Sequence, residues 1–261
     1  MKRFLVWNVI LILLAVAYAP ALSAPPLKPE QAIWAKRVRL VWRTHNWAGY
    51  SKAKQLKAEK AVLANGKERA RIELGRLLKE LPLTDPLKFQ VAYTMALLDL
   101  DYKTSRKVLL DYLSEMNLNS PRSRIINWNK FNEIDADPEG PEDAKRMDGS
   151  GMEGLIFDVY DKRRDPVLLS ALLDFAPFTD GEGAEVMGLC LARIAKKHPT
   201  DLLRGLNTKS KEVWEIACAH IGAEIDNPPK KEFPKLVQIA EDRKNPLSVA
   251  AKRLIKGISE A

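Results

Sequence analysis

Residues 165–203 read DPVLLSALLDFAPFTDGEGAEVMGLCLARIAKKHPTDLL, and this stretch decides the fold. Its apolar residues recur once per helical turn, as at Ala184, Met187, Leu191 and Ile194. That spacing places one apolar stripe along one side of a helix. Two short breaks, at 179–181 and 198–199, separate the helical segments. Connections this short require consecutive helices to pack as antiparallel pairs.

The same periodicity continues on both sides of this stretch. Apolar residues repeat at helical spacing at Leu87, Val91, Met95 and Leu98 and again at Trp214, Ala217, Ile221 and Ile225. No run of alternating β-branched residues indicates a strand. The sequence therefore predicts an all-α protein, built either as one array or as two helical halves joined by a loop.

Three dipeptides mark helix starts: Asp85-Pro86, Asp165-Pro166 and Asn245-Pro246. The side-chain oxygen of Asp or Asn accepts a hydrogen bond from a free backbone N–H at the start of a helix. Proline at the first helical position loses no hydrogen bond there. The dipeptides are 80 residues apart, which equals two periods of a repeat of about 40 residues.

Three segments of the C-terminal half carry a family resemblance: LLSALL at 168–173, ARIA at 192–195 and KHPTDLL at 197–203. They resemble HEAT/armadillo-type helical repeats over roughly residues 151–258. The resemblance implies an α-solenoid of stacked antiparallel helix pairs. It also implies a binding surface, since such arrays use their stacked faces to hold partners.

The N-terminus has the order of an export signal. Lys2 and Arg3 precede an apolar run from Phe4 to Ala19, and small residues follow at Ala21 and Ser23. This order predicts a signal peptide at 1–23, cleaved after Ser23, and an exported protein of the periplasm or the extracellular space. The alternative is an uncleaved membrane anchor, for which the apolar run is short of the ~20 residues that span a bilayer.

Charge divides the remaining chain into three regions: 24–118, 119–150 and 151–261. From Trp34 to Lys79 there are 13 Lys and Arg against 3 Asp and Glu, a net charge of +10. Residues 119–150 are rich in Asn, Asp, Pro and Gly and predict a connecting loop. The sequence thus predicts a basic helical region, an acidic and polar loop, and a repeat region.

Aromatic and basic residues alternate in the first region and form a candidate site for an anionic surface. Its residues are Trp34, Lys36, Arg37, Arg39, Arg43, Lys52, Lys54, Lys57 and Lys60. Such a mixture suits anionic membranes or envelope polymers. Nucleic acid ranks lower, since exported proteins seldom meet it. The alternative is an ordinary amphipathic helix with Trp34, Val38, Val41 and Trp42 in the core and its cations in solvent.

Cys190 and Cys218 fall on helices that a stacked array would place close together. An exported protein can form disulfides, so the pair is a possible disulfide. Two buried free thiols are the alternative, because cysteine also packs well in cores.

No motif for a catalytic, metal or cofactor site is present, and we expect none. His45, His198 and His220 are isolated in sequence. The acidic run at 135–140 imitates a calcium loop, but Arg146 stands where that loop requires Glu. The leading hypothesis is a non-catalytic binding or scaffolding module with an unidentified protein partner. The alternatives are a protein that binds an anionic envelope surface and an enzyme of unrecognised type.

Overall fold

The structure, a computed structural model, describes residues 27–46, 50–116, 151–179 and 181–261. Within these ranges there are thirteen α-helices, one 3-10 turn at Ala176–Phe178 and no strand. The all-α prediction is therefore confirmed. The predicted signal peptide at 1–23 and the predicted loop at 119–150 lie outside the described residues.

Five of these helices precede residue 117 and eight follow residue 150. The first five are α1 Pro29–Asn46, α2 Lys52–Leu63, α3 Lys67–Glu80, α4 Pro86–Leu98 and α5 Tyr102–Met116. The next four are α6 Gly151–Arg163, α7 Pro166–Phe175, α8 Gly181–Lys197 and α9 Pro199–Leu206. The last four are α10 Lys211–Ala223, α11 Pro229–Glu232, α12 Pro234–Glu241 and α13 Ser248–Glu260.

Two of the three Asx-Pro dipeptides begin helices. Asp85 accepts a hydrogen bond from the Leu87 N–H at 2.9 Å, and Asp165 accepts one from the Val167 N–H at 2.8 Å. Proline is the first residue of α4 and of α7, where no N–H is needed.

The third dipeptide forms a turn instead of a helix start. Asn245 accepts a hydrogen bond from the Leu247 N–H at 2.9 Å, and α13 begins only at Ser248. The Asx oxygen therefore satisfies a backbone N–H as expected, but the turn that it closes precedes the helix.

Helix α1 buries its apolar stripe against α4. Trp34, Val38, Val41 and Trp42 are each at most 5% exposed. The Trp42 ring packs edge-to-face on Phe89, with 5.4 Å between ring centroids. This is the arrangement of an amphipathic helix whose aromatic residues belong to the core.

The helices before and after the undescribed segment 117–150 pack directly against each other. Helix α4 contacts α6, and α5 contacts α7. Arg163 donates a hydrogen bond to the Ala96 carbonyl at 3.0 Å and forms an ion pair with Asp99 at 3.1 Å. Asp165 accepts hydrogen bonds from the Tyr102 hydroxyl at 2.6 Å and from Arg106 at 2.9 Å. One hydrophobic core runs through both groups of helices.

Alternate helices of the C-terminal half lie side by side, in the order α6, α8, α10, α13. In the last pair, Arg253 covers the Trp214 ring, Gly257 lies on Cys218, and Ala261 lies beside Gly222. Because these contacts advance together along both helices, α10 and α13 run parallel. Within the described residues, no helix is long and apolar enough to cross a membrane.

Candidate functional site

A cleft of about 510 Å³ opens where five helices meet, and we call it the central cleft. Helices α1 and α2 contribute His45, Lys52, Gln55, Leu56 and Glu59. Helices α4, α6 and α8 contribute Leu97, Asp158, Asp161, Lys162 and Arg193. The lining therefore combines three carboxylates, three cations, one imidazole and two leucines.

His45 and Glu59 form a hydrogen-bonded pair in the lining of the cleft. The imidazole Nε2 lies 3.1 Å from a Glu59 oxygen, and the two side chains are 7% and 15% exposed. Burial is the largest effect on His45 and lowers its pKa, although Glu59 opposes it. Burial therefore favours the neutral form of the imidazole.

Among the three carboxylates of the cleft, Asp161 has the most contacts with cationic side chains. Its oxygens lie 2.6 Å from Arg193, 3.5 Å from Lys197 and 3.3 Å from the His198 ring. Burial alone would raise the pKa of Asp161, but Arg193 and Lys197, with a smaller effect from His198, outweigh it and lower the pKa. Asp161 therefore stays ionised and orients Arg193.

Asp158 lies one helical turn before Asp161, and fewer cations contact its carboxylate. Its nearest cation, Arg193, is 3.7 Å away, and within the described residues no donor forms a hydrogen bond with it. Burial raises the pKa of Asp158 to about 6, despite the opposing effect of Arg193. A carboxyl group with this pKa can exchange protons near neutral pH and can also bind a cation.

Tyr93 lies next to these groups and has a polar atom without a partner. Its side chain is fully buried, and no described residue forms a hydrogen bond with its hydroxyl. The Tyr93 ring stands edge-to-face with the His45 ring, at 6.0 Å between centroids. Burial, followed by the charges of Asp158 and Glu59, holds the pKa of Tyr93 well above its usual value.

A second cavity, of about 500 Å³, lies between the α6–α7 connection, the start of α9 and helix α12. Its polar lining includes Arg164, Lys197, His198 and Lys235. Arg164, whose φ is +56°, contacts both Asp201 and His198. Because His198 also faces Asp161, a continuous ion network joins this cavity to the central cleft.

The nine residues proposed for an anionic surface are divided between the core and the surface. Trp34 lies in the core and forms no part of a surface, because it belongs to the buried stripe of α1. Arg37 and Arg43 are half-buried, and Arg37 stacks on Trp34 with 4.8 Å from its guanidinium carbon to the ring centroid. The exposed cations are Lys36, Arg39, Lys52, Lys54, Lys57 and Lys60.

Cys190 and Cys218 are both buried, and within the described residues no disulfide joins them. The Cys218 sulfur faces Gly257 of α13, where an added Cβ would lie 2.5 Å from it. Burial raises the pKa of Cys218 to about 11, which makes this thiol unreactive in the folded protein. The disulfide remains a prediction.

Searches of family models, curated proteins and solved structures return no match to this chain. Within the described ranges, no group of three or more His, Cys, Asp and Glu side chains is arranged to hold a metal ion.

Sequence reasoning missed the central cleft. Its principal groups, His45, Glu59, Asp158 and Arg193, come from four helices and belong to no motif. One signal was present: Asp158 and Asp161 are three residues apart, which places both carboxylates on one face of α6. The groups that meet this face depend on helix packing.

Proposed function

We propose that this chain is an exported, non-catalytic binding module that holds a segment of a protein partner in the central cleft. The observation that carries the proposal is the cleft itself, where charged and apolar side chains from α1, α2, α4, α6 and α8 converge. The cleft volume of about 510 Å³ is large enough to admit one or a few side chains of a partner segment. Export rests on the composition of residues 1–23.

The order of the helices supports a HEAT-like α-solenoid as the framework. Lateral neighbours follow one another as α6, α8, α10 and α13, while α5, α7, α9 and α12 form a second series. Two such layers of stacked helices are typical of helical-repeat proteins. The central cleft is lined by α6 and α8 of the first series together with α1, α2 and α4.

Leu56 offers the simplest test of the proposed site. Its side chain is 45% exposed at the cleft, so Leu56→Glu adds a charge there without opening the core. The matched control is Val249→Glu on α13, a 77% exposed position outside the cleft lining. Affinity capture from the cell envelope should recover the same partner with the wild type and Val249→Glu, and lose it with Leu56→Glu. Equal recovery by all three proteins would refute the proposal.

A second candidate function is attachment to an anionic membrane or envelope polymer. Its support is the exposed cations Lys36, Arg39, Lys57 and Lys60, none of which forms an ion pair with a carboxylate in the described part of the chain. Helix α2 buries only Ala58 and Val62, so most of its surface faces solvent. Unpaired cations on an exposed helix attract polyanions without requiring a defined partner geometry.

A further inference from the structure

A third cavity, of about 260 Å³, lies between α1 and α4, and we call it the arginine cavity. Its described lining consists of Arg39, Trp42 and Arg43 on α1 and Gln90 on α4. No described residue lines both this cavity and the central cleft. At about 30 Å³ for each water molecule, the cavity admits a group of roughly eight non-hydrogen atoms.

The exposure of the lining residues separates the opening of the arginine cavity from its inner end. Arg39 is exposed and Arg43 is half-buried, whereas Trp42 and Gln90 are only 3% and 2% exposed. The Trp42 ring is held in place by its edge-to-face contact with Phe89. A ligand that enters the cavity therefore meets the arginines near the opening and Gln90 further inside.

The described lining of the arginine cavity is positively charged. It holds two guanidinium groups and no carboxylate, whereas the central cleft has three cations against three carboxylates. Arg39 forms no ion pair with a carboxylate of the described residues. A guanidinium group presents N–H donors in a planar fork that matches a carboxylate. The charge of the lining therefore favours an anionic ligand.

An independent observation concerns Gln90, which lines the same cavity. Its Oε1 atom is buried and accepts no hydrogen bond from a described residue. The large majority of buried polar side-chain atoms have a hydrogen-bond partner. Because Oε1 is an acceptor, the group that satisfies it must carry an N–H or O–H. The ligand that fits both ends of the cavity thus combines a negative charge with a nearby donor.

From these observations we propose that the arginine cavity binds a carboxylate with an N–H on its adjacent carbon, as at the C-terminus of a peptide or in an N-acyl amino acid. The carboxylate pairs with Arg39 and Arg43, and the N–H donates a hydrogen bond to the Gln90 Oε1. An N-acetylated glycine is of the size that the cavity admits. Sulfate suits the arginines but has no donor for Gln90. This site goes beyond the proposed function, because it does not involve the central cleft.

The test uses the purified full chain in NMR titrations with N-acetylglycine, N-acetylsarcosine, N-acetylglycinamide and sulfate. N-acetylsarcosine keeps the carboxylate but carries a methyl group in place of the N–H, and N-acetylglycinamide keeps the N–H but has no charge. N-acetylglycine should shift the indole N–H resonance of Trp42 in a saturable way. It should bind about threefold to tenfold more tightly than N-acetylsarcosine, the effect of one hydrogen bond. N-acetylglycinamide and sulfate should bind more weakly than N-acetylglycine.

Two variants separate the donor contact from the charge contact. Gln90→Met removes the Oε1 acceptor and keeps the length of the side chain, so the affinity for N-acetylglycine should fall to that for N-acetylsarcosine. The affinity for N-acetylsarcosine should not change, and thermal unfolding should show a midpoint no lower than that of the wild type, since a buried unsatisfied atom is removed. Arg39→Gln should weaken the binding of both carboxylates by about fivefold or more. Arg69→Gln, an exposed control on α3 outside the described lining, should leave both affinities unchanged.

The peptide Ac-Gly-Gly-Gly with a free carboxylate distinguishes the two sources of this group. Tighter binding than that of N-acetylglycine assigns the site to a peptide C-terminus, and equal or weaker binding assigns it to a free N-acyl amino acid. Absence of saturable binding, equal binding of N-acetylglycine and N-acetylsarcosine, tighter binding of sulfate, or no effect of Arg39→Gln would overturn the inference. These results leave the proposed function standing, because Leu56→Glu tests the central cleft separately.

Discussion

The Asp165 carboxylate accepts a 2.6 Å hydrogen bond from the Tyr102 hydroxyl, 63 residues earlier in the chain. Its other oxygen caps α7 through the Val167 N–H. One side chain therefore begins a helix and ties it to α5. Hydrogen bonds between side chains, in addition to apolar packing, therefore join the helices before residue 117 to those after residue 150.

Asp165→Ala should destabilise the protein because it removes the cap of α7 and leaves Tyr102 and Arg106 without their acceptor. We expect a loss of about 2–3 kcal/mol in the free energy of unfolding, measured with urea. Tyr102→Phe is the matched control, since it removes only one of these hydrogen bonds and should cost about 1 kcal/mol. An unchanged midpoint of urea unfolding in Asp165→Ala would contradict the contact that Asp165 makes between α7 and α5.

Asp158→Asn should make the protein more stable at neutral pH. The pKa of Asp158 in the folded protein, about 6, lies above the roughly 3.9 of an unperturbed aspartate, so folding favours the protonated form. Stability contributed by this group is therefore lost as the pH rises between these values. Asparagine stays neutral, and the gain at pH 7 should be on the order of 1 kcal/mol, reduced by partial solvent exposure.

The measurement is urea unfolding of the wild type and Asp158→Asn at about pH 4 and about pH 7. The difference between the two proteins should grow with pH. If the variant is less stable at neutral pH, contacts in the folded protein stabilise the charged form of Asp158, which contradicts a raised pKa.

Gly188→Ala should weaken the packing of α8 on α10. A Cβ at this position would lie 2.6 Å from the His220 carbonyl oxygen, a backbone atom that cannot move independently. We expect a loss of about 1–3 kcal/mol. Gly75→Ala on α3 is the control, because a Cβ there meets nothing within 4 Å. It should stabilise its helix by about 0.5–1 kcal/mol. If Gly188→Ala and Gly75→Ala change the midpoint of thermal unfolding equally, the close contact between α8 and α10 at Gly188 is contradicted.

Titrating thiols in the unfolded, unreduced protein determines whether Cys190 and Cys218 form a disulfide. The structure forms no disulfide between these two described residues, so two thiols should react per chain. In the folded protein Cys218 should react slowly, because burial raises its pKa to about 11. A count of zero after unfolding would establish the disulfide that the sequence allowed.

Binding to an anionic surface can be tested apart from the cleft. Lys57→Glu with Lys60→Glu reverses two exposed cations of α2 that do not line the central cleft. Co-sedimentation with anionic vesicles at low salt should fall in this variant and in wild-type protein at high salt. Lys244→Glu with Lys252→Glu makes the same charge change at exposed C-terminal positions and should have little effect. Absence of wild-type binding at low salt would exclude this second function.

The sequence predicted the helices well because their signals are local. Apolar spacing and the Asp85 and Asp165 caps depend on residues within one or two turns of each other. At Asn245 the same local signal was ambiguous, since an Asx oxygen can close a turn as well as cap a helix. The spacing of Trp34 fitted both a surface role and burial, and the structure places its side chain in the core.

These local signals do not predict the central cleft. His45 and Asp158 are ordinary residue types, 113 positions apart, and only the packing of α1 and α2 near α6 brings them to one cavity. The balance of charge at Asp158 depends on Arg193 from a further helix. Such properties follow from tertiary distances, which periodicity does not encode.

The most direct test of a partner-binding cleft is site-specific photocrosslinking in the native cell envelope. A photoreactive amino acid would replace Leu56 at the cleft in one protein and Val249 on α13 in another, both exposed positions. We predict one discrete crosslinked partner from position 56 and none from position 249. Crosslinks of equal yield from both positions, or from position 249 alone, would contradict the assignment of the central cleft as the binding site.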